Sequence, residues 1–204
     1  GQIIKCVEAA IEEDDFDVGI KKESDLFLEC LLHPQREAMI HIFFGERTAG
    51  KISDVPKDTE TQKIGSAGVV GSGTMGGGIA MNFANAGIPV IVLDQDEKNL
   101  ERGIGVIEKN YQMMVDRGRL SQEMKDGVMS LITPSLNYED LANCDIVVEA
   151  VYENLELKQE IFKKLDDVVK GDAILASNTS GLDIDAISSV TNRPEKVVGT
   201  HFFS

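Results

Sequence analysis

The residues best placed to do chemistry are Gly71-Ser72-Gly73-Thr74-Met75-Gly76, a GxGxxG motif. Such a motif suits a dinucleotide pyrophosphate. Gly71 permits a tight turn, Gly73 offers no Cβ where backbone must approach phosphate, and Gly76 lets the following helix pack on the preceding strand. The free N–H groups at that helix start, around Thr74 and Met75, then face the anion. Alone the motif is weak. It gains weight from Asp94, which lies 18 residues after Gly76 at the end of the next apolar run. A carboxylate there accepts hydrogen bonds from the adenosine ribose and repels a 2′-phosphate, which favours NAD over NADP. The competing reading is a glycine-rich structural turn beside a surface aspartate.

His201 lies in a strand-like run, between Gly199-Thr200 and Phe202-Phe203. Histidine titrates near neutral pH and is a good general base at the ligand-binding edge of a parallel sheet. From these residues alone, a histidine simply satisfied in a core is the more ordinary reading. Residues 177–181 (SNTSG) follow another apolar run. Their hydroxyls suit a ligand, but capping of a helix starting near Asp183 is favoured. Gly77 and Gly78 extend the glycine run into the helix, where a packing reason is plausible. His33 and His41 carry no chemical signal.

These residues need a frame. Apolar runs at 64–70, 88–93, 145–151, 173–176 and 196–203 read as strands, and 74–86, 96–117 and 154–169 as helices. Ser121 reads as the cap of a further helix reaching Leu131. Alternating strand and helix predict an α/β fold of Rossmann type: a doubly wound, mostly parallel sheet with helices on both faces. Upstream, 11–17 reads as an acidic turn, 22–33 and 34–47 as helices with Pro34 at a first helical position, and 48–63 as a polar linker. The expected division is a helical linker segment, 1–63, and a nucleotide-binding domain, 64–204.

Composition narrows the function classes. Apolar residues make up 42% and charged residues 27%, which excludes wholesale disorder. The net charge of −15 speaks against nucleic acid or anionic lipid as partner. Three scattered cysteines, Cys6, Cys30 and Cys144, suggest neither a disulfide framework nor a metal cage, and suit a reducing cytoplasm. Residues 64–93 carry no charge and are long enough to span a bilayer, but their eight glycines and Pro89 argue for a buried soluble core. No signal peptide is visible, and the start at Gly1 without Met suggests a piece of a longer polypeptide.

The stretches 71–96, 147–162 (VVEAVYENLELKQEIF), 176–184 (ASNTSGLDI) and 197–204 (VVGTHFFS) together resemble L-3-hydroxyacyl-CoA dehydrogenases. Residues 27–47 resemble the segment that joins hydratase and dehydrogenase halves in multifunctional fatty-acid β-oxidation proteins. The resemblance implies that Gly71, Gly73 and Gly76 hold the pyrophosphate and Asp94 with Gln95 the ribose. Glu153 and Lys158 match NAD-contacting positions, Ser180 a serine near the substrate hydroxyl and nicotinamide, and His201 the catalytic base. The implied reaction is oxidation of (S)-3-hydroxyacyl-CoA to 3-ketoacyl-CoA with an acyl-CoA as substrate. The family also carries, beyond the HFF motif, a glutamate that orients the histidine and a helical domain that completes the substrate cleft and usually the dimer. Its hydratase residues lie upstream. This chain is therefore expected to hold the nucleotide site and part of the catalytic one. Ser204 stands where many relatives have Asn. Two other readings remain: a β-hydroxyacid dehydrogenase with a catalytic lysine further along, and a non-catalytic NAD-binding module.

Overall fold

A computed structural model describes residues 1–52, 55–56 and 58–203. The chain divides into two compact units, Gly1–Thr61 and Gln62–Ser204. The first is helical: α1 (Gln2–Glu12), α2 (Phe16–Leu32) and α3 (Pro34–Ala49). Helix α1 is additional to the two helices expected there, and α2 starts earlier than expected, because Asp15 caps it by accepting from the amides of Asp17 and Val18. The acidic turn shrinks accordingly to the residues between Glu12 and Phe16. Pro34 opens α3, where its missing N–H costs nothing.

The second unit is a six-stranded, wholly parallel sheet in the order β3-β2-β1-β4-β5-β6. Its strands are β1 (Ala67–Val70), β2 (Val90–Leu93), β3 (Ile132–Ser135), β4 (Ile146–Glu149), β5 (Ile174–Ser177) and β6 (Val197–Gly199). Between them run α4 (Thr74–Asn85), α5 (Glu97–Asp116), α6 (Gln122–Met129), α7 (Leu155–Val168) and α8 (Ile184–Ser188). The inner strands are rich in β-branched side chains buried on both faces, as a parallel sheet between helices demands. Val69, Val92 and Val148 pack with Ile79, Ala80 and Ile107 from α4 and α5. Val70, Leu93 and Val147 turn the opposite way, toward Ile161, Phe162 and Leu165 of α7. This is the expected doubly wound arrangement, and strand order reverses between β1 and β4, where ligands bind in such sheets.

Two strands differ from expectation. Strand β3 was not expected, because ITPS offers little apolar pattern and contains Pro134. As an edge strand it needs no full set of N–H donors, so proline is tolerated. Strand β6 ends at Gly199, so His201 lies beyond the sheet rather than within a strand.

Candidate functional site

Register brings the singled-out residues to one edge. Ser135, Leu93, Val70, Glu149, Ser177 and Gly199 form a single row across the six strands, each the last residue of its strand. Because all strands are parallel, the segments after that row emerge on the same side. They carry Gly71–Gly76, Asp94 and Gln95, Glu153, Asn178–Ser180 and Thr200–His201.

At the glycine turn, Gly71 has φ +103°, and a Cβ there would lie 2.7 Å from the Ala150 carbonyl oxygen. A Cβ on Gly76 would sit 1.8 Å from the Gly71 oxygen, so the turn and α4 fit together only with hydrogen at both positions. Gly73 is different. Its φ of −68° is ordinary, and an added Cβ would meet nothing within 4 Å. No protein atom requires glycine there. The helix behind it differs from the others of this unit: α5, α6, α7 and α8 have side-chain caps from Asp96, Ser121, Asn154 and Asp183, while α4 has Gly73 at its N-cap and no side-chain cap. Its amides at Thr74 and Met75 are left for an anion. An open cradle at Gly73 and an uncapped helix start fit the pyrophosphate of a dinucleotide. Gly77 and Gly78 have no comparable packing need: a Cβ on Gly77 would make only ordinary contact with Ile107, and one on Gly78 would meet nothing.

A cleft of about 500 Å³ runs from Gly71 and Gly73 past Asp94 and Gln95 to Val151 and Tyr152. Asp94 Oδ2 accepts from the Ser72 amide at 3.0 Å and the Ser72 hydroxyl at 2.6 Å, while Oδ1 accepts from the Asp96 amide at 3.2 Å. Partial burial pushes this carboxyl up, but the Ser72 bonds with those from the Asp96 and Gln95 amides outweigh it and hold it below its ordinary range. Asp94 is therefore ionised and tied to the glycine turn as well as facing the cleft. Helix α5 crosses the turn so closely that a Cβ on Gly103 would lie 2.3 Å from the Ser72 oxygen. Sequence reasoning missed Ser72 and Gly103. The x positions of GxGxxG carry no type preference, and an isolated helical glycine has no motif around it.

The β4–β5 side holds a buried network. Glu149, wholly buried, accepts from the Val151 amide at 2.8 Å, Lys158 Nζ at 2.6 Å and the Ser177 hydroxyl at 2.7 Å. Lys158 Nζ also lies 3.3 Å from Glu153 Oε2. Glu153 in turn accepts from the Thr179 hydroxyl and, at 3.1 Å, from the Ser180 amide. Burial raises the Glu153 carboxyl, but Thr179, Lys158 and Ser180 together bring it below the ordinary value. Lys158 is only 1% exposed, so in this structure its ammonium faces the two carboxylates and not the open cleft. The resemblance makes Lys158 an NAD-contacting position, and the structure buries it between Glu149 and Glu153. Glu149 was missed, since 145–151 reads as one strand and a single acid within it carries no motif.

The turn at 178–182 is not the expected helix cap. Thr179 Oγ1 accepts from the Gly181 and Leu182 amides, and Asp183 itself caps α8. Ser180 is exposed, as is His201, whose ring centroid lies 4.6 Å from that of Phe203 with the planes tilted by 55°. No hydrogen bond joins Ser180 to His201 among the described residues. Their segments meet instead through the Thr200 amide on the Ser177 carbonyl (2.9 Å) and the Phe202 amide on Asn178 Oδ1 (2.8 Å). Ser204 lies outside the described residues.

Comparison with known proteins is consistent with this geometry. The human peroxisomal bifunctional enzyme is 40% identical over 98% of this chain, which spans 28% of that relative's length. The crystal structure of FadB2 from M. tuberculosis matches with a TM-score of 0.69 and 39% identity, covering 70% of this chain and 50% of that one. The (S)-3-hydroxybutyryl-CoA dehydrogenase of Ralstonia eutropha matches with a TM-score of 0.67 and 35% identity, covering 69% and 50%. The family described as "3-hydroxyacyl-CoA dehydrogenase, NAD binding domain" matches residues 66–204, and the chain belongs to that family.

Proposed function

We propose that the protein acts as an NAD-dependent 3-hydroxyacyl-CoA dehydrogenase of fatty-acid β-oxidation, oxidising an (S)-3-hydroxyacyl-CoA to the 3-ketoacyl-CoA. One observation carries the reading: the strand-end row delivers an open glycine cradle, an ionised Asp94, Ser180 and His201 to the same edge. The bound dinucleotide supplies the hydride acceptor. The uncapped start of α4 and the bare Gly73 seat its pyrophosphate, and Asp94 with Gln95 takes the ribose hydroxyls. Glu153 holds the Ser180 turn, whose exposed hydroxyl is free to bond a substrate oxygen. His201 Nε2 or Nδ1 takes the hydroxyl proton as hydride leaves C3, the carbon that bears that hydroxyl, so charge does not build up on the oxygen.

The match to the human bifunctional enzyme takes in the helical unit too, which supports a multifunctional protein; a hydratase half and an oligomeric assembly are part of the proposal. A cytoplasmic setting rests on three free thiols. The human relative is named peroxisomal, and cell fractionation decides between the compartments.

The test is His201→Gln in the intact protein. The rate constant for NADH formation should fall about 10²–10⁴-fold while NAD affinity stays the same. An unchanged rate would leave His201 as a bystander and remove the catalytic part of the reading.

A further inference from the structure

We propose that Glu149 is a positioning residue that fixes the Ser180 turn and the His201 segment against each other, acting through Ser177 and Lys158. This rests on the dehydrogenase reading above for its catalytic meaning, but its geometry stands apart from it.

Glu149 ends β4 in the strand-end row, where its two register neighbours are Val70 and Ser177. Packing alone does not call for a carboxylate there, since buried ion pairs replaced by apolar residues of like volume often leave stability unchanged. The carboxylate nevertheless accepts three bonds, and two of the partners, Lys158 and Ser177, lead outward. Through Lys158 it reaches Glu153, and through Glu153 the Ser180 amide. Through Ser177 it reaches the Thr200 amide, which donates to the Ser177 carbonyl. The Glu149 backbone adds a third line: its carbonyl accepts from the Asn178 amide at 2.8 Å, and Asn178 Oδ1 accepts from Phe202. Both residues flanking His201 are therefore bonded to residues that are themselves held by Glu149. Lys158, buried at 1% exposure, relays between two carboxylates. The adenosine side, with Ser72, Asp94 and Gly103, shares no hydrogen bond with this network among the described residues.

The experiment compares the intact protein with Glu149→Gln and with the paired variant Glu149→Gln/Lys158→Met, which strands no buried charge. Backbone amide exchange at Ser180, Thr200 and Phe202 should accelerate roughly tenfold or more, with the amides of Val69 and Val92 unchanged. In Glu149→Gln, KM for NAD should stay within about threefold while kcat falls by roughly a hundredfold, the scale of a small misplacement of reacting groups. Unchanged exchange at the three amides would overturn the proposal. So would a uniform rise across the sheet, which marks a merely structural residue, or failure of both variants to fold. Exchange needs no turnover. An unmodified protein that forms no NADH would refute the dehydrogenase reading alone, and unaltered exchange would refute the positioning role alone.

Discussion

A side chain at Gly73 has free space around it, so its glycine answers to something outside the protein. Gly73→Val should therefore keep its circular dichroism and melting midpoint and lose NAD binding on calorimetric titration. Retained binding would make the turn purely structural. Asp94 carries a double load, holding Ser72 while facing the ribose. Asp94→Ala should weaken NAD by about 2–3 kcal/mol, the worth of bonds to a charged acceptor, and narrow the gap to NADP. Titration of both dinucleotides checks this, and equal affinities in the unaltered protein would contradict it. At this scale the sequence was legible wherever a residue type is dictated by chemistry, as at Gly71, Gly73 and Asp94. It was silent on Ser72 and Glu149, whose importance comes from what they touch, and on the burial of Lys158, which depends on a carboxylate nine residues away.

Elements matter through register and close approach. Helix α5 was legible from the spacing of its apolar face, but its contact with the glycine turn was not, because only the fold places Gly103 beside Ser72. Gly103→Ala pushes a methyl into backbone that cannot give way. It should cost about 1–3 kcal/mol in urea unfolding and weaken NAD as well. A neutral outcome would show that the turn tolerates displacement. The entry to β1 is held by Asp145, whose Oδ2 accepts from the Gly65 and Ser66 amides at 2.7 and 2.9 Å and whose Oδ1 pairs with Lys170 at 2.5 Å. Lys170 and those amides pull its carboxyl down to about 2. A depressed carboxyl stabilises the fold fully above its unfolded value of about 3.9, and that contribution fades as pH falls through about 2. The unmodified protein should exceed Asp145→Asn in melting midpoint near neutral pH, with the gap closing on acidification across that window. A gap that persists in strong acid would point to a different cause.

For the whole molecule, alternating apolar runs sufficed to recover the doubly wound class, because a sheet buried on both faces must be written in such runs. The edge strand β3 escaped because it offers little apolar pattern and contains Pro134, while β6 reads too long from sequence, as 196–203 instead of Val197–Gly199, which places His201 inside a strand. The helical unit was only partly legible: α1, α2 and α3 leave Ile3, Phe16, Leu32 and Met39 each at least 70% exposed, so burial does not sharpen their pattern. The central claim is that one sheet edge joins NAD to an (S)-3-hydroxyacyl-CoA. It is tested most directly by following NADH formation by the intact protein with (S)- and (R)-3-hydroxybutyryl-CoA, each with NAD and with NADP. The account predicts turnover with the S isomer and NAD, and little with the other three combinations. Turnover that ignores either the stereochemistry or the 2′-phosphate, or no turnover with any pair, would contradict it.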